Sequence, residues 1–600
     1  MASPEHQPRA SSDRYFNPNP NVIPSNVTAY FDSPVALALV GLVVLLIITR
    51  AASGIKPSSI DDKDGAKTVP AAPYWLPLIG HIPNMIYNAD GFLNGLRDRF
   101  TDGIFSLNFG GKTHHILYTP GVATALLNQK QSVANSEETA HTIMERVFGF
   151  PKAEHKKYDA ALPDLMACYH KHLVSEPNLG EMVSKTLQRC KASIKDFVTG
   201  NESIVDQMHW ERTSSVNVTM NKSGEPVVEA SLLPLIRDYV AHTANPTIMG
   251  SDFLSNYPDV FDDIWTLDRG FLLLAAGLPR WLPIPGLTRA HLAKRRLTED
   301  VSVFHEAMDK EANGEDPGPK WTGLDDVGSL VKARMPVYRQ HGFSIRARAA
   351  AELALIWAAN ANSDTLIFWM INRVYADKAL LEMLREEMEQ YVQAVEPKSD
   401  FLLPEPPRLE KFDVEGLCAH CPLLKSCYIE CLRLDTASWS LKVVKQDFVL
   451  QSREKDAQGW LLRKGEYAHA AHNLHNTDPN YFDNPAVWKA DRHVKYEGDD
   501  KRGTADMGSI RPYGEPLNVL ICGTSYADCS LGGGASMCKG RAFAFKECVM
   551  FTAAIVAMWD IEPAGDGPWK MPRHKKATGV YTTSDDTRVW VKQRQLRQAQ

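Results

Sequence analysis

One cysteine near the end of the chain stands where a soft metal ion could use it. The segment LGGGASMCKGRAFAFKE, residues 531–547, places three glycines and a serine before Cys538, Gly540 just after it, and an apolar helix-forming run beyond. Glycine has no Cβ, so backbone of this composition can pass close under a flat ligand. A helix starting just after the cysteine aims its positive end back at the sulfur, which favours thiolate over thiol. Thiolate ligation of a haem iron pushes electron density onto the metal and favours cleavage of an O–O bond. The chemistry that suits these residues is oxygen activation, with Cys538 as the axial iron ligand.

A second set lies upstream. YIECLRL puts Glu430 and Arg433 three residues apart, on one face of a helix, and WKADRH supplies Arg492 between that pair and the cysteine. With these residues in this order, the chain resembles the cytochrome P450 superfamily. The family's ligand loop runs Phe-x-x-Gly-x-Arg-x-Cys-x-Gly. Gly534, Cys538 and Gly540 match it, and Ala544 matches a later small position. Leu531 replaces the aromatic residue and Ser536 the arginine. The resemblance runs from about residue 70 to the C-terminus. Residues 70–83 look like the family's proline-rich hinge, 109–127 like its first β-hairpin and next helix, and 472–485 like the segment before its arginine. Within the superfamily the texture is nearest the branch of sterol 7α-hydroxylases and prostacyclin synthase, in a fungal-like form.

The resemblance implies a fold and a set of roles. The fold is mainly α with a small β lobe. The cofactor is haem b, iron protoporphyrin IX, bound through Cys538 with Gly534 and Gly540 in its loop. Glu430 and Arg433 lock to Arg492 and support that loop. Lys442 stands where many members have an arginine to a haem propionate, with a point charge in place of a fork. Thr436, Ala437, Ser438 and Trp439 line the substrate cavity, joined by Val580 and Tyr581 from the last hairpin. Electrons come from NADPH through a separate NADPH–cytochrome reductase, since no flavin or dinucleotide module is visible in the chain.

These groups need a helix on the oxygen side of the cofactor. Residues 347–375 read as one long, alanine-rich, buried helix whose centre carries Asn360, Asn362, Ser363, Asp364 and Thr365. Five polar residues together in a buried helix are costly without partners. In the family this helix carries Ala-Gly-x-acid-Thr, and the acid and alcohol relay protons. Two registers fit. The first puts Asn362 at the acid and Ser363 at the alcohol, with Phe368 five places on as the family's large apolar residue. The second restores an acid and an alcohol as Asp364 and Thr365. Under the first, an amide cannot donate a proton by ionising, so delivery falls to water held by Ser363. The plainer alternative is that these side chains cap a helix distortion through bonds back to their own backbone.

Composition narrows the classes. The 600 residues are 44% hydrophobic and carry a net charge of −6, ample for a large core and unsuited to a nucleic-acid surface. Ten cysteines are too few for a disulfide scaffold. Cys418, Cys421, Cys427 and Cys431 cluster with His420, but no second Cys-x-x-Cys at zinc-finger spacing accompanies them, so they read as free thiols.

Residues 35–49 form an uncharged apolar run within a transmembrane signal anchor at 34–52. Arg50, Lys56, Lys63 and Lys67 follow it, against Arg9 and Arg14 before it, which places the catalytic part in the cytosol. The expected layout is a polar luminal tail at 1–33 with a glycosylation acceptor at Asn26, the anchor, a linker and hinge at 53–83, and a catalytic domain at 84–600 on the endoplasmic reticulum membrane. Residues 217–225, 312–328 and 497–514 read as surface loops. The expected activity is oxidation of a lipophilic terpenoid, sterol or polyketide intermediate. Its alternatives are rearrangement of a lipid peroxide and non-enzymatic binding of haem or sterol.

Overall fold

The computed structural model describes residues 34–54, 65–221, 223–397, 406–452, 457–496, 503–506, 510, 538–565 and 567–596. The loop residues Leu531, Gly534 and Ser536, the tail with Asn26, and most of 497–514 lie outside them. Helices build the body. Leu287–Ala312 packs against Val260–Ala275 and Ile345–Asn360, while Arg541–Met558 packs against Ser363–Ala376 and Asn178–Ser193.

The expected single helix at 347–375 is two helices, Ile345–Asn360 and Ser363–Ala376, parted at residues 361 and 362. Ser344 starts the first, its side chain accepting from Ala347 N at 3.2 Å. The alanine-rich sequence lets that helix be buried almost all round. Polar side chains at the junction account for the break. Ser363 Oγ bonds back to Ala359 O at 3.0 Å, Asn360 Nδ2 donates to Ile356 O at 2.7 Å and to Asn245 Oδ1 at 3.1 Å, and Asn362, at the first position before the second helix, turns its side chain away to accept from Val580 N. Such back-bonding bends helices.

The β lobe is a five-stranded sheet ordered Ile104–Phe109, Lys112–Leu117, Tyr467–Ala471, Trp439–Val444 and Ala134–Asn135. Lys112–Leu117 and Tyr467–Ala471 pair in parallel, and the other pairings are antiparallel. Trp439–Val444 follows the helix Pro422–Leu434 that carries Glu430 and Arg433, so this sheet aims the turn between them into the body. The segment read as a loop at 217–225 is instead a hairpin, Asn217–Met220 with Pro226–Ser231. It extends a sheet with Arg588–Gln593 and Trp559–Pro563, because its β-branched residues pair on both arms.

The helix Pro34–Gly54 has a mean hydropathy of 2.6 and none of its residues is buried, which makes it a candidate membrane span. Its end is tied to the body. Arg50 donates to Pro73 O and lies 5.3 Å from the centre of the Trp75 ring, and Ser53 Oγ accepts from Tyr74 N at 2.9 Å. Within the stretch read as linker and hinge, Lys67–Thr68 is built into the body, pairing with the strand Trp460–Leu462.

Candidate active site

The helix Arg541–Met558 brings Cys538 in from its N-terminus. Cys538 is 5% exposed and lines a largely apolar cleft. Burial pushes this thiol up to about 11, while the N–H groups of Gly540 and Arg541 and the charge of Arg541 pull it down. The helix end therefore opposes burial without overcoming it. Full ionisation needs a cation at the sulfur, and a metal supplies one by deprotonating a coordinating thiol outright. A buried sulfur donor, small neighbours at Ala354, Ala358 and Ala359, and a mostly apolar lining together fit an iron porphyrin.

Facing Cys538 across the cleft is the junction of the two central helices. Asn362 and Ser363 line it, whereas Asp364 and Thr365 are buried outside it. Thr365 Oγ1 bonds back to Ala361 O at 3.5 Å. Asn362 also reaches the last loop, its Oδ1 accepting from Val580 N at 3.1 Å. Val580 and Thr436 form an isolated bridge, and Thr436, Ser438 and Val580 all line the cleft. Asn362 is thus a tether between the central helix and the substrate-side wall. At Gly579 φ is +106°, and a Cβ there would clash with Asn362 Oδ1. Gly579→Ala is expected to lower stability by about 1–3 kcal/mol and weaken type-I ligand spectra, checked by thermal melting and ligand titration.

Ala437 and Trp439 are not among the lining residues. Ala437 N donates to Gly579 O at 2.7 Å, and Trp439 Nε1 donates to Asn473 Oδ1 at 2.8 Å. Tyr581 is buried, and its carbonyl accepts from Trp369 Nε1 at 2.6 Å. Lys442 is buried in the β lobe and not among the lining residues, with Nζ 3.1 Å from Leu127 O and 3.4 Å from Gln129 O. Cys427 and Cys431 are fully buried thiols raised by burial.

Beneath the cleft, Glu430 organises a buried charge cluster. Arg433 forks onto it with Nε and Nη2 each at 2.8 Å, Arg492 Nε reaches Oε1 at 2.9 Å, and His493 Nε2 lies 2.9 Å from Oε2. The remaining arms hold backbone: Arg433 Nη1 donates to Asn476 O and Pro485 O at 2.7 Å each, and Arg492 Nη1 to Asp483 O at 2.7 Å. Burial raises the Glu430 carboxyl, but the bonds from Arg433, His493 and Arg492 win and hold it down at about 2.

Several contributors escaped the sequence reading. His493 follows Arg492 directly, but neighbouring position alone does not show a buried bond to Glu430. Tyr169, Met182, Ile248 and Leu330 line the cleft from four separate segments, with no shared spacing to reveal them. Glu547 did carry a signal, as a lone acid on the apolar helix after Cys538. It lines the cleft and is 3% exposed.

Comparison with known proteins agrees with this geometry. The family model described as Cytochrome P450 matches residues 266–589, more than half of the chain. A cytochrome P450 monooxygenase named efuG from Hormonema carpetanum is 23% identical over 565 residues, 90% of this chain and 92% of that one. One named fsoE from Humicola fuscoatra is 24% identical over 546 residues, covering 86% and 85%. Cytochrome P450 7A1 of Oryctolagus cuniculus is 24% identical over 302 residues, about half of each chain (50% and 52%). With its buried cysteine facing a polar break in a central helix, the chain belongs to the cytochrome P450 family.

Proposed function

We propose that this P450 is a monooxygenase that hydroxylates or epoxidises a lipophilic small molecule, a terpenoid, sterol or polyketide intermediate of secondary metabolism. One observation carries the reading: a buried cysteine and a helix-junction hydroxyl, Cys538 and Ser363, line the same largely apolar cleft. Haem, when bound there, supplies the iron at which dioxygen is activated. The chain's own residues do the rest. Cys538 holds the group through sulfur, with Gly540 leaving room beside it. Glu430, Arg433 and Arg492 keep the segment before the ligand loop in place. Asn362 fixes the wall at Val580, and Ser363 lines the cleft with a hydroxyl oxygen that can hold water. Apolar side chains such as Leu355, Leu366 and Phe543 exclude water and favour an apolar substrate. Reducing equivalents come from NADPH through a separate reductase. The helix Pro34–Gly54 anchors the enzyme in the endoplasmic reticulum membrane with the catalytic domain in the cytosol.

A second reading, rearrangement of a lipid peroxide, draws on Asn362. The residue at the acid position cannot ionise, and its carbonyl is already engaged by Val580. Full-length enzyme with a P450 reductase is expected to require NADPH for product formation from a terpenoid or sterol panel. Turnover of a lipid hydroperoxide without NADPH would select the second reading.

A further inference from the structure

Outside the cleft, four side chains able to bind a metal come together from three helices. His209 starts His209–Thr213 and His242 stands in the last turn of Leu232–Ala244. Asp259 caps and Asp262 opens the helix Val260–Ala275. One donor atom from each of His209, Asp259 and Asp262 lies within 4.8 Å of the other two. His209 Nε2 stands 3.5 Å from Asp259 Oδ1, longer than an ordinary hydrogen bond. Asp259 holds the cap position of its helix, yet its side chain makes no cap bond there. The His242 ring packs against the His209 ring with centres 4.5 Å apart, and it comes near the carbonyl of Pro258, the residue before Asp259. Its Nδ1 lies 2.8 Å from Asp238 O, so Nδ1–H donates and Nε2 carries the lone pair. That Nε2 and His209 Nδ1 are both buried without a hydrogen-bond partner.

We propose that His209, His242, Asp259 and Asp262 form a zinc site that ties the start of Val260–Ala275 to Leu232–Ala244. Two imidazoles and two carboxylates are a donor set that zinc accepts. Tetrahedral zinc holds such donors at about 2.0–2.2 Å, which sets neighbouring ligand atoms about 3.3–3.5 Å apart. The His209–Asp259 separation already falls there. Histidines that ligate zinc are held by a bond from the other ring nitrogen, and His242 has one to a backbone carbonyl. Both carboxylates are exposed, which gives the ion a path from solvent. Burial and then His209 lower His242, so its lone pair stays free at neutral pH. Arg237 works against a cation here, but its guanidinium lies over the Trp265 ring at 4.3 Å and 3.6 Å from Asp238 Oδ1. The site is independent of the haem-thiolate reading, because none of its residues lines the cleft.

The test is calorimetric titration with zinc chloride of the full-length holoenzyme, first stripped with a chelator and dialysed. One zinc per chain should bind and raise the melting temperature. X-ray absorption should show a nitrogen and oxygen shell at about 2.0–2.1 Å. Losing an outer partner alone costs about 10–100-fold in metal affinity, so His209→Ala and His242→Ala should each weaken binding at least about tenfold. Asp262→Asn, a change of similar shape at an exposed position, should do likewise without disturbing the core. Cys418→Ser should leave the affinity unchanged. Failure of wild type to bind zinc stoichiometrically, which needs no variant, would overturn the site. So would a sulfur shell at about 2.3 Å, which would put zinc on the cysteines, or full affinity in Asp262→Asn and His209→Ala. The carbon-monoxide spectrum reads the haem-thiolate bond separately and should be the same with and without zinc.

Discussion

Cys538→Ser is expected to abolish the strongly red-shifted Soret band of the reduced, carbon-monoxide-bound protein, and monooxygenase activity with it. The loss should be complete, because a serine hydroxyl remains protonated where a thiol can be ionised by iron. The informative control is Cys548, the other cysteine lining the cleft. Its sulfur sits ten residues further along the helix, 3.9 Å from the carbonyl of Ser363. Cys548→Ala should therefore keep the thiolate spectrum. Cys427 is fully buried on a different helix, and Cys427→Ser should keep it too. A red-shifted band surviving in Cys538→Ser would move the ligand elsewhere and remove the basis for every role built around the cleft.

The second large effect is expected at Glu430. Removing one partner of a buried, forked ion pair strands the other, a loss of about 3–5 kcal/mol. Arg433→Ala and Glu430→Gln should both melt far below wild type and retain little haem, read by calorimetry and by absorbance per protein. The pH dependence gives an independent check. Glu430 is held from 4.5 down to about 2, which amounts to about 3 kcal/mol at neutral pH. A depressed carboxyl stabilises fully above its unfolded value, and that stability fades as pH falls through the folded one. Wild type should thus lose this contribution between about pH 4.5 and 2, and Glu430→Gln should show a flatter dependence across that window. Equal acid sensitivity in the two proteins would show that the cluster does not carry this linkage.

Part of this was legible because it is local or ordered along the chain. Glu430 and Arg433 share a helix face at three-residue spacing, an apolar run without charge reads as a helix that is a candidate membrane span, and Cys538 stands just before the apolar run that forms the helix Arg541–Met558. The mainly helical body with a small β lobe followed from the same patterns and from the resemblance. The hairpin at Asn217–Met220 and Pro226–Ser231 was missed because its polar turn outweighed short β-branched arms whose pairing partner lies at Arg588–Gln593.

By itself, the order of residues singled out the sulfur at 538, the acid–arginine pair and its distant arginine, and a polar patch at the middle of an apolar helix. The three-dimensional packing decided what that patch does. It split the helix at residues 361 and 362, turned Asn362 to Val580 and Ser363 to the cleft, and buried Asp364 outside it. It also set Lys442 against backbone carbonyls in the β lobe. The physical reason is that spacing reports which side chains share a face, whereas the partner a buried polar atom finds depends on which other segments come to lie against it.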